Sequence, residues 1–330
     1  MCLEKMSDYV LDTAQTVVIN GESYYLRLRS ENIENPVVLF LHGGCGCADR
    51  PFIMHYQSPL AAVCTVASWD QRGAGMAYNR KTAKKEKLTK ELYINDTYNV
   101  VSYLRERFNK DKIIIVGHSF GSQLGVWFAQ RYPECVQALV GIGQVVDFVK
   151  NEELSYDYAL TYAKTHGDKK TVRALERIGR PVNGFYKDEN NTQILKQRKY
   201  LNKCGGIYYG KFGCTKREWL AMVFDIMRKE YSVKTLLNYN RAKHYCLNSP
   251  LGKERVNFLE QARELSVPVY VFTGVGDYNC SFALAQEWFG QLKAPYKKWV
   301  WFEKSGHEPQ NEQAELFNKT LAAEVLGVQL

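Results

Sequence analysis

The chain has no apolar run of about eighteen residues or more, the length a membrane-crossing helix needs. Its first residues, MCLEKMSDYV, carry acidic side chains and no apolar stretch of signal-peptide length. No membrane span and no secretion are therefore expected, and the protein reads as cytoplasmic. Repeated CxxC spacings are missing as well, and nine scattered cysteines, an odd number, fit reduced thiols better than a disulfide framework. The close pair Cys45 and Cys47, even with His42, falls short of the four ligands of a structural zinc site, so no metal is expected. Internal repeats and low-complexity tracts are also lacking.

Charge is plentiful but unevenly placed. Residues 151–250 carry 19 of the 44 Lys+Arg and 10 of the 35 Asp+Glu, which leaves the rest of the chain balanced at 25 of each. The net charge of +9 thus belongs to one segment. That segment has no zinc-finger spacing, RNP-like aromatic motif or basic heptad, so no nucleic-acid partner is expected. It reads as a solvated helical face, one that would favour anionic substrates.

At 330 residues the chain exceeds what one core usually needs, so a large α/β domain or a core with an insertion is expected. TVVINGESYYLRL (16–28) sets two β-rich runs around Asn20-Gly21, a strong hairpin signal. NPVVLFLHGG, CTVASWDQRG and KIIIVGHS follow, each an apolar strand ending in a glycine-bearing turn. Between the last two, INDTYNVVSYLRERF spaces Ile94, Tyr98, Val101, Leu104, Arg105 and Phe108 as a helix would, with Asn95 or Asp96 as N-cap. Strands alternating with helices imply a mostly parallel sheet. After the strand QALVGIGQVV the alternation stops, and helical runs such as TVRALERIG and REWLAMVFDIMRKEY are joined by loops such as CGGIYYGKFGC. The expected organisation is an α/β core over 1–147, a helical cap insertion over 148–250, and the rest of the core over 251–330. In that last part KERVNFLEQAREL reads as an amphipathic helix, VPVYVFT (267–273) as a strand, KKWVWFEKSGH as the source of a last strand, and NEQAELFNKTLAAEVL as a closing helix.

Gly117, Ser119 and Gly121 spell GxSxG between a strand and a helix. A serine on so tight a turn is strained, and its neighbours must lack side chains; the turn lifts the hydroxyl above the sheet edge. Ser119 is therefore the candidate nucleophile. A serine needs a base, and the base an orienting acid. Of six histidines, His307 in KSGHEP follows the last strand and lies at the same sheet edge as Ser119. Asp277 in TGVGDYNC is the favoured acid, giving the order Ser, Asp, His. Asp147, after the strand QALVGIGQVV, is the alternative. Oxyanion donors are expected from the backbone N–H of Phe120 and of Gly44 in LHGGCG. Gly43 and Cys45 in that loop are candidates for contact with substrate, and Cys45 and Cys47 beside it imply sensitivity to thiol reagents. Asp70 and Arg72 in WDQRGAG read as an ion pair stabilising a glycine loop.

These residues resemble the α/β-hydrolases, and within them the proline iminopeptidase-like branch. The resemblance runs through HGGCG (usual form HGGPG), WDQRGAG, GHSFGS (usual form GxSWGS), GVGD and SGH, in order, and covers nearly all of the core. It implies Ser119 as nucleophile, Asp277 as acid, His307 as base, Gly44 and Phe120 as oxyanion donors, no cofactor, and a helical cap over the site. Cys45 stands where the family usually has proline, and Phe120 where it usually has tryptophan. The family recognises a free substrate amine with cap glutamates, one commonly in a WxxWE-like stretch that is absent here. Glu152, Glu153 and Glu218 are the cap candidates for that part. The resulting expectation is a serine hydrolase that removes an N-terminal residue from small peptides. An esterase or amidase acting on a small acyl substrate, and a non-catalytic ligand-binding member of the fold, are the alternatives.

Overall fold

In the computed structural model, which describes residues 9–187, 192–209 and 216–330, a hairpin opens the chain. Strand β1 (Leu11–Ile19) and strand β2 (Glu22–Ser30) pair antiparallel. Asn20 and Gly21 between them take φ values of 53° and 82°, the left-handed pair that a two-residue hairpin turn requires. Next come β3 (Val37–Leu41), β4 (Thr65–Asp70), β5 (Ile113–His118), β6 (Val136–Ile142), β7 (Val269–Gly274) and β8 (Lys297–Phe302). The eight strands form one sheet in the order β1-β2-β4-β3-β5-β6-β7-β8, parallel from β4 through β8. Strands β3, β4 and β7 are buried along their whole length, as expected of parallel strands covered on both faces.

Alternation along β5 divides the core. Ile113 and Ile115 join the larger apolar cluster on one face, and Ile114 and Val116 join a second cluster on the other. Helix α1 (Arg50–Tyr56) sends Ile53 and Met54 into that second cluster. Helices α2 (Lys90–Arg107) and α3 (Phe120–Arg131) cover the larger one. After β6 come α4 (Phe148–Thr165), α5 (Lys169–Ile178) and α6 (Thr192–Lys203), which share a separate apolar cluster around Tyr156, Leu175 and Leu201. Helices α7 (Lys216–Arg228) and α8 (Val233–Leu247) follow, and Cys246 of α8 reaches the main core. The chain returns to the sheet through α9 (Phe258–Gln261) and closes with α10 (Phe282–Gln291), α11 (Pro309–Glu312) and α12 (Ala314–Leu321). The fold is thus α/β, a mostly parallel sheet flanked by helices. Among the described residues no helix is long and apolar enough to cross a membrane.

Two local expectations give way. Helix α2 starts at Lys90 and is capped by Thr89, whose side chain accepts from Leu92 N, so neither Asn95 nor Asp96 is its cap. Asp96 is instead buried within the helix, where it accepts from Tyr24 Oη and from Arg72. KERVNFLEQAREL forms only the four-residue α9. Residues 256–258 are held extended against 146–148: Phe148 N donates to Val256 O and Phe258 N to Val146 O. Of the loop CGGIYYGKFGC, residues 210–214 lie outside the described residues, as do residues 1–8.

Candidate active site

Strand β5 ends at His118, and Ser119 turns directly into α3 with φ 53° and ψ −118°. A non-glycine residue there is strained and persists only where its surroundings hold it. Ser119 N donates to Ile142 O at 2.8 Å, and Ser119 O accepts from Ser122 Oγ at 2.6 Å. The flanking glycines are steric necessities. A Cβ on Gly117 would lie 2.2 Å from Gly121 O, and one on Gly121 would lie 2.0 Å from Leu41 O.

The loops after β7 and β8 bring Asp277 and His307 together. Asp277 is fully buried, and its Oδ2 lies 2.8 Å from His307 Nδ1. Its other oxygen accepts from the backbone N–H groups of Asn279 and Cys280, both at 2.9 Å. Burial opposes charge on the His307 ring, but the Asp277 charge and hydrogen bond outweigh it and hold His307 above its ordinary value. The pair sits beside the serine turn, because the rings of His118 and His307 are 4.7 Å apart and Ser119 Oγ lies 3.9 Å from Cys280 Sγ. Asp147, the alternative acid, is engaged elsewhere: it caps α4, accepting from Lys150 N at 3.0 Å.

The loop after β3 lies against the serine. A Cβ added to Gly43 would be 3.2 Å from Ser119 Cβ and 2.8 Å from His118 Nδ1. Gly44, at φ 31°, accepts from Cys47 N at 2.7 Å. Phe120 opens α3, so its N–H belongs to the first helical turn, whose amides have no intrahelical partner. His42 fixes this loop. Its Nε2 accepts from Gln71 N at 3.1 Å, and its Nδ1 donates to Gly43 O at 3.0 Å. Burial pulls the ring down to about 4, so it is neutral at physiological pH.

The remaining candidates separate. Cys45 packs into the main core, and burial raises its thiol well above the ordinary value; Cys47 is raised by the same cause. Neither is a thiolate at neutral pH, which opposes the expected sensitivity to thiol reagents. Glu152 is 1% exposed and bound by both terminal nitrogens of Arg198. Glu153 pairs with Arg180 at 3.1 Å, and Glu218 is exposed on α7. Asp70 and Arg72 do not pair with each other. Asp70 faces Arg50 at 3.5 Å and accepts from Met76 N and Tyr231 Oη, whereas Arg72 forks onto Asp96 at 2.7 and 2.8 Å.

Several residues at the site escaped the sequence. Cys280 touches the serine, and its place three residues after Asp277 was the available signal. His118 braces the base: its ring lies 3.0 Å from His307 O through Nε2. The Asp49 Oδ1 atom is buried without a hydrogen-bond partner. Burial, then the charges of Glu308 and Asp70, push that carboxyl up to about 8.

Comparison with known proteins bears on the family. Residues 36–181 match the alpha/beta hydrolase fold family. The chain is 30% identical over 315 residues to the probable aminopeptidase YbaC of Bacillus subtilis (strain 168), covering 94% of this chain and 92% of that protein. It is 23% identical over 305 residues to the proline iminopeptidase of Clostridioides difficile (strain 630), covering 91% and 94%. Among solved structures, VinJ superposes with a TM-score of 0.68 at 17% identity, covering 96% of this chain and 99% of that one. The proline iminopeptidase of Mycobacterium smegmatis gives 0.65 at 17%, covering 96% and 98%. The chain is therefore a member of the α/β-hydrolase family, in the branch that holds the proline iminopeptidases.

Proposed function

We propose that the protein is a serine hydrolase that releases an unblocked N-terminal residue from small peptides, with Ser119, His307 and Asp277 as its triad and α4 to α8 as a cap over the site. The observation that carries this is the buried Asp277–His307 hydrogen bond beside a serine strained on a strand-to-helix turn. Ser119 Oγ attacks the substrate carbonyl while its proton passes to His307 Nε2. The N–H groups of Phe120 and Gly44 take the oxyanion. His307 returns the proton to the departing amine as the C–N bond breaks, and a water activated by the same ring hydrolyses the acyl-enzyme. Ser119 and His307 are not hydrogen-bonded here, a looseness common before substrate binds.

Ser119→Ala is expected to lower kcat by about 10⁶-fold with an unchanged circular dichroism spectrum. Turnover near the wild-type rate in a folded variant would refute the triad.

One observation favours a second reading. A free amine needs an anionic partner, yet Glu152, the most buried of the cap candidates, is already neutralised by Arg198. An esterase or amidase acting on a small acyl substrate needs no such partner. Prolyl naphthylamide, its N-acetyl form and a p-nitrophenyl acyl ester, assayed side by side, separate the two. Cleavage of the free-amine compound alone supports the aminopeptidase, and cleavage of the ester alone supports the second reading.

A further inference from the structure

The nucleophile and the base are held by different parts of the molecule. Ser119 is fixed by β6 and α3, both elements of the sheet and its flanking layer. The loops carrying Asp277 and His307 are crossed by the segment that leaves α6. Gly206 O accepts from Tyr278 N at 3.0 Å, and Ile207 O accepts from His307 N at 2.6 Å.

A carboxylate locks this crossing. Glu312 Oε1 accepts from the N–H groups of Gly306 at 2.9 Å and Glu308 at 3.2 Å, the two neighbours of His307. Its Oε2 accepts from Tyr209 N at 2.7 Å. One side chain thus ties the histidine loop to the crossing segment. Contact is close as well: a Cβ on Gly306 would lie 2.1 Å from Ile207 O. Helix α4 adds a clamp on the acid's loop, where Asn151 donates to Asn279 O at 2.9 Å and accepts from Ser281 N at 2.8 Å. Tyr158 of α4 stacks on Tyr278, with ring centroids 3.6 Å apart and planes 10° apart.

We propose that the segment Gly206–Tyr209, locked by Glu312, is a positioning element for His307 and Asp277, so that the base is aligned on Ser119 only while the helices between β6 and β7 are seated. The proposal rests on the triad assigned above. Glu312 and Asn151 touch neither substrate nor reacting atoms; they act through the backbone that carries the acid and the base. A base displaced by about 1 Å loses about 100-fold in rate even with the substrate bound as before.

The test uses the full chain with Gly306→Ala, Glu312→Gln and Glu312→Ala. The first pushes on Ile207, the second keeps the volume but sets an amide group against backbone donors, and the third removes the lock. The expected result is a fall of about 100-fold in kcat with KM within about twofold, and an acid limb of kcat/KM moved to lower pH as His307 loosens from Asp277. Unchanged kcat and acid limb in folded variants would overturn the proposal. So would a rise in KM with the acid limb in place, since the segment would then serve substrate binding alone. If Gly306→Ala does not fold, Glu312→Gln, which adds no bulk, carries the test. Fluorophosphonate labelling of wild-type Ser119 separates the two levels. A wild type that does not label removes the triad itself, whereas a labelled wild type with variants labelled equally fast removes only the positioning role.

Discussion

Replacing Asp277 by Asn changes the candidate acid with almost no change of shape, and the structure says what the amide must do. Asp277 Oδ1 accepts two backbone N–H groups at 2.9 Å, so the Asn carbonyl oxygen has to stay there. Its NH2 group then faces His307 Nδ1, where the carboxylate had been at 2.8 Å. An NH2 group only donates, so Nδ1 becomes the acceptor and the ring proton moves to Nε2. In the proposed triad that is the nitrogen that receives the serine proton. The expected fall in kcat is about 10⁴-fold, or about 5 kcal/mol at the transition state, with little change in KM. Every hydrogen bond of the buried side chain is still made, so Tm should barely move. The assay is kcat and KM on prolyl naphthylamide, with Asp147→Asn as control; Asn also caps helices well, and that variant should stay active. An Asp277→Asn enzyme within about tenfold of wild type, beside a dead Asp147→Asn, would refute the assignment of the acid.

Three more predictions concern charged groups. Because Asp277 holds His307 above its ordinary value of 6.5, the acid limb of kcat/KM should have its midpoint above pH 6.5 and fall below it in Asp277→Asn. The same raised value stabilises the fold fully below pH 6.5, and that stabilisation is lost as pH rises through the folded value, so activity gains where this stabilisation fades. A pH–rate profile and a pH series of urea unfolding measure the two, and a midpoint below 6.5 in the wild type would contradict the Asp277 contact. Arg198→Ala leaves Glu152, 1% exposed, without a partner, and should destabilise the protein by about 3–5 kcal/mol. Arg198→Met combined with Glu152→Gln should recover most of the Tm, and an unchanged Tm in the single variant would mean that the pair contributes nothing.

How much of this was legible in the sequence depended on how local each feature is. The hairpin at Asn20-Gly21, the serine turn and the strand ends are set by a few adjacent residues, and they are found where the pattern puts them. The mostly parallel sheet follows from alternation along the chain, which is also local. KERVNFLEQAREL misled because its helical periodicity competes with backbone pairing to residues 146–148, more than a hundred positions away. Thr89 was overlooked as a cap because Asp96 looked better by residue type, and Asp96 is committed instead to Tyr24 and Arg72. The pairing of Glu152 with Arg198 and the crossing of Ile207 over His307 join residues 46 and 100 apart in number, and no short motif records them.

The neutral ring of His42 gives the site a second kind of acid sensitivity. Unfolded, that histidine would titrate near 6.5; folded, it titrates at about 4, so the unfolded chain binds more protons between these values. Stability is lost as pH falls through that window, by about 3 kcal/mol at its lower end. The loss has an address. A proton on Nε2 would face the N–H of Gln71, and the loop that presses Gly43 against Ser119 would lose its fastening to the end of β4. Mild acid should therefore silence the enzyme by charging His307, with activity returning at once on neutralisation. Stronger acid should act by letting the loop that carries Gly43 drift, and recovery would then wait on that loop folding back against the serine.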